Sequence, residues 1–188
     1  MFKFLASAVL AFLIIQPASA SIIFGPSVNY STRKQSDASA GTIYGCCQDR
    51  KLLTVDARLG YVFDENGLYL GGIYKLESDK YEAGDLSGFA VGPSIGYVNS
   101  GFSLIATYHL MAERRYTFSG LERKATSGSG LQVDLGWAPQ VATNFGIGPV
   151  LTYRTLKFGK TQIGTAAETS QSAEETTLEP SLLFWFSF

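Results

Sequence analysis

The 188-residue chain has two cysteines, one histidine and no surplus of either charge. Each shortage excludes something. Cys46 and Cys47 are adjacent, and two thiols with a single imidazole fall short of the four ligands of a structural zinc site, so no metal or cofactor is expected. In an exported chain the pair is a candidate for a vicinal or intermolecular disulfide. With Lys3 removed, 14 basic residues face 16 acidic ones, a formal charge of −2 that gives no reason to expect nucleic acid. A lone His109, with no local Ser or acid signature beside it, is a poor basis for catalysis, and the protein is read as non-enzymatic.

Long apolar runs are also missing, with one exception. "MFKFLASAVLAFLIIQPASA" carries a cationic Lys3, an apolar stretch from Phe4 to Ile15, and the small triplet Ala18-Ser19-Ala20. That is the pattern of a secretory signal peptide over 1–20, cut after Ala20, and it is too short to span a membrane. Residues 21–188 are expected to form one domain.

Alternation is what the mature chain has instead. Apolar residues recur at every second position in eight segments that start near Ile22, Leu53, Leu68, Phe89, Phe102, Leu131, Phe145 and Leu178. Period two over about ten residues is a strand pattern. "DENG", "NSG" and "PQVATN" make short connections, and four polar stretches near 32–51, 78–87, 114–129 and 158–176 make longer ones. Short turns on one side and long loops on the other suit a transmembrane barrel. The apolar face carries aromatics at both ends: Phe24, Phe102, Trp137 and Phe188 at one, Tyr30, Tyr74, Tyr108 and Tyr153 at the other. From Phe145 to Tyr153 is a rise of roughly 19 Å along the membrane normal at a tilt near 45°, which fits between two interfaces. The expected fold is an all-β, eight-stranded, antiparallel up-and-down transmembrane β-barrel.

This architecture resembles the small eight-stranded outer-membrane proteins of the OmpA/OmpX type over the whole mature chain. Its most specific piece is "LEPSLLFWFSF", with Leu182, Phe184, Phe186 and Phe188 on one face. The resemblance implies that this strand is the signal read by the barrel-assembly machinery, with Phe188 central. It also implies an integral outer-membrane location, lipid and lipopolysaccharide as surroundings, and a monomer. The chain departs from the best-known member in having no peptidoglycan-binding domain.

The opposite face holds Asp56, Arg58, Lys75, Glu77, Asp134, Arg154 and Glu179, with glycines at 60, 71, 92, 96, 136, 146 and 148 leaving room for large side chains. An eight-stranded barrel is just wide enough to be filled by its own side chains, so a paired charge network plugging the lumen is expected. A narrow pore for small solutes is the alternative, and a lipid-modifying enzyme using His109, with Glu113 on its face, a weaker one. Arg114, Arg115, Arg123 and Lys124 form a candidate surface for lipopolysaccharide phosphate at the tip of a hairpin whose Tyr116 and Phe118 continue the lipid-facing side. "GTAAETSQSAEETT" reads as a polar loop.

Four prolines, in "FGPSVNY", "VGPSIGY", "IGPVLTY" and "LEPSLLF", interrupt strands on the lipid face, where local bulges or bends are expected. Removal of Phe188 deletes one aromatic contact, about 1.5–3 kcal/mol of burial. We therefore predict that Phe188→Ser sharply lowers outer-membrane levels in cells while refolding from urea stays near the parent's yield. Equal losses in the two assays would assign Phe188 to stability alone.

Overall fold

The computed structural model describes residues 20–33, 50–63, 67–81, 84–118, 120–170 and 173–188. The signal segment up to residue 19 and both cysteines lie outside them. Nine strands follow one another: β1 (Ala20–Arg33), β2 (Arg50–Phe63), β3 (Leu68–Tyr81), β4 (Gly84–Asn99), β5 (Phe102–Phe118), β6 (Leu121–Trp137), β7 (Gln140–Ala142), β8 (Phe145–Ile163) and β9 (Ala173–Ser187). Each long strand pairs antiparallel with the next, β6 pairs with β8, and β9 returns to β1. Eight strands thus close a ring. The three-residue β7 is a local feature of the β6–β8 connection, paired only with the start of β8.

The period-two pattern sorts the faces as expected. Leu59, Leu76, Leu104, Leu131, Leu151 and Leu182 are exposed on the outside, where only lipid can accept them, while Asp56, Arg58, Lys75, Asp134 and Arg154 are buried inside. Phe186 stacks on Phe24 and lies 5.0 Å from Phe145 between ring centroids, which knits the aromatic belt at the short-turn end. Tyr74 stacks on Phe89 at the other end.

The connections differ from the expectation. Near 78–87 and 114–129 the strands simply continue: β3 runs to Tyr81, which pairs with Gly84 of β4, and β5 runs to Phe118, which pairs with Leu121 of β6. At these two connections hairpins, not long loops, extend that end of the barrel. β9 likewise begins at Ala173, inside the stretch read as a loop.

A bulge in β5 produces the larger correction. Between the pairs Val91↔Met111 and Ser94↔Thr107 the β5 chain holds one residue more than β4, and the β5–β6 register shifts at the same level. Leu110 and Met111 are consequently both exposed. Below the bulge Ser103, Ile105, Thr107 and His109 point inward; above it Ala112, Arg114 and Tyr116 do. The parity has flipped, as a one-residue insertion must make it. Arg114 and Tyr116 therefore belong to the lumen and Glu113 to the outside.

The prolines sit where a strand loses one of its two neighbours. Pro93 pairs with Gly72 on β3 and faces the bulge on β5. The other three lose pairing without a register shift. Pro26 pairs with Ala57 while the β9 ladder skips it, Pro149 pairs with Leu182 just beyond the last β6 pair, and Pro180 pairs with Leu151 above the last β1 pair. A residue in an antiparallel strand directs its N–H to one side only, so a missing N–H opens one ladder and spares the other.

Two of these prolines flank the β1–β9 seam. Among the described residues its ladder ends at Val28↔Leu182, although both strands continue. Just above, the side-chain amide of Asn29 donates to the Pro180 carbonyl at 2.5 Å, replacing the missing backbone donor. Asn29→Ala should strand that carbonyl in a buried wall at a cost of about 1–3 kcal/mol. The expected readout is a lower urea midpoint for unfolding from lipid bilayers; an unchanged midpoint would show that the seam does not rely on Asn29.

Candidate functional site

All seven charged residues expected in the lumen meet there. Arg58 donates through Nε and Nη2 to Asp134 at 3.1 and 2.9 Å, through Nη1 to Ser27 at 2.9 Å, and through Nη2 to Asp56 at 3.3 Å. Lys75 Nζ lies 3.0 Å from Glu179 and 3.3 Å from Asp56. Arg154 bonds Glu77 and reaches Glu179 at 3.8 Å. Strands β2, β3, β6, β8 and β9 each contribute at the same level because the registers Asp56↔Lys75 and Thr152↔Glu179 place them there. No group in this set faces the lumen without a counter-ion.

Two further members were hidden in the sequence. Arg114 is 2% exposed, its Nη2 2.5 Å from Glu77 and its Nε 3.3 Å from Glu175. It is not part of a surface patch, because the β5 bulge turns it inward; Gly88 leaves the space, since a Cβ there would come within 2.8 Å of the Arg114 Cδ. Glu175 is reached also by Arg154 at 3.5 Å. Its signal was present: Glu175, Thr177 and Glu179 continue the inward parity of β9.

His109 is fully buried, and its Nε2 lies 3.0 Å from the Gln132 Oε1. The Gln132 amide nitrogen donates to Asp134 at 3.0 Å, and Thr152 donates to the same carboxylate at 2.6 Å. A carboxylate can only accept, so the amide oxygen must face His109 and Nε2 must carry the proton. Nδ1 is then a bare acceptor. Glu113, expected on this face, points outward and instead holds Arg115 at 3.2 Å and Lys124 at 3.0 Å. The imidazole is a link in the polar network, and among the described residues its recorded side-chain hydrogen bond is to Gln132 rather than to a carboxylate.

Apolar layers close the network above and below. On the hairpin side Ala90, Ala112, Ala125, Leu156 and Phe158 form a buried cluster, with the Arg114 guanidinium 5.9 Å from the Phe158 ring centroid. Leu156 and Phe158 follow Arg154 at period two, and Phe158 stands at the start of the stretch read from sequence as loop. On the short-turn side Ile23, Val62, Tyr69 and Ile105 form one cluster and Ala138, Val150 and Leu183 another, with Trp185 against both. The glycines make room here for rings: a Cβ on Gly60 would lie 2.7 Å from Tyr69, and one on Gly25 would lie 2.8 Å from Trp185.

Of the expected surface cations, Arg115 and Lys124 share Glu113, and Arg123 is exposed.

The structure of Neisserial surface protein A superposes on this one with a TM-score of 0.51 and 17% identity, over 90% of this chain and 96% of that one. The fold is that of the small outer-membrane β-barrels. A match at lower similarity is the outer membrane protein OprG from Pseudomonas aeruginosa (TM-score 0.44, 13% identity, over 91% of this chain and 96% of that one). No family model and no curated protein matches the sequence.

The two neighbouring arginines separate lumen from rim in one experiment. Removing Arg114 leaves Glu77 and Glu175 short of a buried partner, a loss of about 3–5 kcal/mol, whereas an exposed pair such as Arg115–Glu113 contributes about 0–1 kcal/mol. Arg114→Met should lower the unfolding midpoint steeply and Arg115→Met should leave it nearly unchanged. Equal effects would place Arg114 outside the network.

Proposed function

We propose that the protein is a non-enzymatic, monomeric barrel of the outer membrane, its lumen plugged, that serves envelope structure or surface interaction. One observation carries this reading: a contiguous ion-pair network fills the cross-section and is enclosed by an apolar layer on each side. A conducting lumen needs polar walls along its whole length, and Leu156, Phe158, Ile105 and Leu183 deny it that at two levels. The exposed leucines and the two aromatic belts support residence in a bilayer, with lipid and lipopolysaccharide around the barrel and the assembly machinery as partner during biogenesis.

The working surface on this proposal is the end where β3–β4 and β5–β6 rise as hairpins. Arg115, Arg123 and Lys124 lie there, and Glu113 already balances two of them. Envelope contact through the hairpins' backbone edges and polar side chains fits that balance better than a cationic phosphate site.

Purified protein in planar bilayers should give no steady conductance in salt solution. Stable unitary current steps from the parent protein, lost in a variant that enlarges the lumen plug such as Ala112→Phe, would instead make it a pore.

A further inference from the structure

Below the apolar floor the barrel opens into a cup on the short-turn side, with a volume of about 600 Å³. Small-molecule sites occupy about 300–1,000 Å³, so the size is that of a ligand pocket rather than of a gap between turns. The cup is blind: Ile23, Val62, Leu183 and Trp185 close its inner end, and the charge network lies beyond them.

Its rim is held by the backbone. Val98 N–H donates to Gly67 O at 2.8 Å, Ala138 N–H to Gly101 O at 2.7 Å, and Ser187 N–H to Asn144 O at 3.0 Å. These bonds tie each short turn to a neighbouring strand or turn all round the mouth. Gly101, at φ +86°, rests so close to the next turn that a Cβ would lie 2.8 Å from Pro139 Cα. The mouth is therefore built in advance of any occupant, which spares a ligand the entropy of ordering it.

The lining defines what fits. Among the described residues that form the cup there is no Asp, Glu, Lys, Arg or His. The mouth offers the side-chain amides of Asn99, Gln140 and Asn144 with hydroxyls from Ser100 and Ser187; the inner end offers aliphatic side chains and an indole. Contact of the Trp185 Cε3–Cζ3 edge with Gly25 turns the opposite, N–H-bearing edge of the ring away from the β1 wall. Against these described lining residues an ion would lose water without gaining a counter-charge. Cleavage after Ala20 would add an ammonium at Ser21, but next to Ile22, which is bonded to Phe188 through both N–H and C=O, so the terminal carboxylate offsets it.

We propose that this cup is a binding site for a small uncharged amphiphile, its apolar or aromatic body against Trp185 and its hydrogen-bonding head at the amide rim. The site faces away from the hairpin end, so it takes ligand from the compartment of the short turns and returns it there. It depends on the apolar floor and not on the pairing above it, and its failure would leave the plugged-lumen reading untouched.

The chain contains two tryptophans, and Trp137 is exposed on the lipid face. In nanodiscs the Trp137→Phe protein therefore reports from Trp185 alone. Phenyl β-glucoside should change its fluorescence saturably and protect it from acrylamide, while phenyl phosphate and phenyltrimethylammonium respond about tenfold more weakly. The Trp185→Phe protein, reporting from Trp137, should stay silent. Gln140→Lys, at an exposed rim position, should admit phenyl phosphate; heat-shifted migration in gels verifies that each variant is folded. A folded Trp137→Phe barrel that shows no saturable change has a water-filled mouth only, and the proposal fails. Equal responses to all three probes, or a preference for a charged one, would also overturn it.

Discussion

An ionised side chain inside an eight-stranded barrel has lipid behind its strand and only other side chains in front of it. Everything else in this molecule answers to that constraint. Arg58 between Asp134 and Asp56, Lys75 between Glu179 and Asp56, and Arg154 and Arg114 on Glu77 are the solutions it forces. Desolvation of each ion is offset only if the geometry is close and further hydrogen bonds use the remaining donors. Ser27, Gln132 and Thr152 supply those bonds, which is why hydroxyls and amides occupy inward positions beside the charges. The layers above and below keep water from competing for the same groups.

How much of this was legible depended on whether parity held. From Leu53 to Phe63, or from Phe145 to Tyr153, period two runs unbroken, and every inward charge there could be read from its position. Arg114 was missed, because the bulge that turns it inward inserts one residue into β5 within "YHLMAERRY" and reverses the parity beyond it. The cue was two consecutive large apolar residues, Leu110 and Met111, where alternation demands one. Glu175 and Phe158 were lost for a different reason: polar composition around them outweighed a parity that in fact continues to Ile163 in β8 and back to Ala173 in β9. The prolines announced interruptions correctly. Only Pro93, however, is matched by a bulge; at the other three the ladder parts without slipping.

The two ends of the barrel solve different problems. At the hairpin end, β3, β4, β5 and β6 continue past the aromatic belt as paired strands, and the described surface there is sheet carrying balanced charge. At the other, the turns are bonded into one another and the space they enclose has no charge among its described lining residues. The described ion pairs are concentrated at mid-depth, and the described side chains lining the cup carry none.

The seam between β1 and β9 gives the wall a place of unequal strength. A closed sheet under outward load shares the strain among its joints, and the joint with the fewest rungs gives first. Here that joint also pairs the first strand with the last, the pairing most distant in sequence, so its loop closure costs the most entropy. One Asn29 amide bridges the level at which the rungs stop. The barrel thus resembles a hoop fastened by a short clasp: closure is costliest there, and rupture, whether by heat or by lateral pressure in the bilayer, begins there.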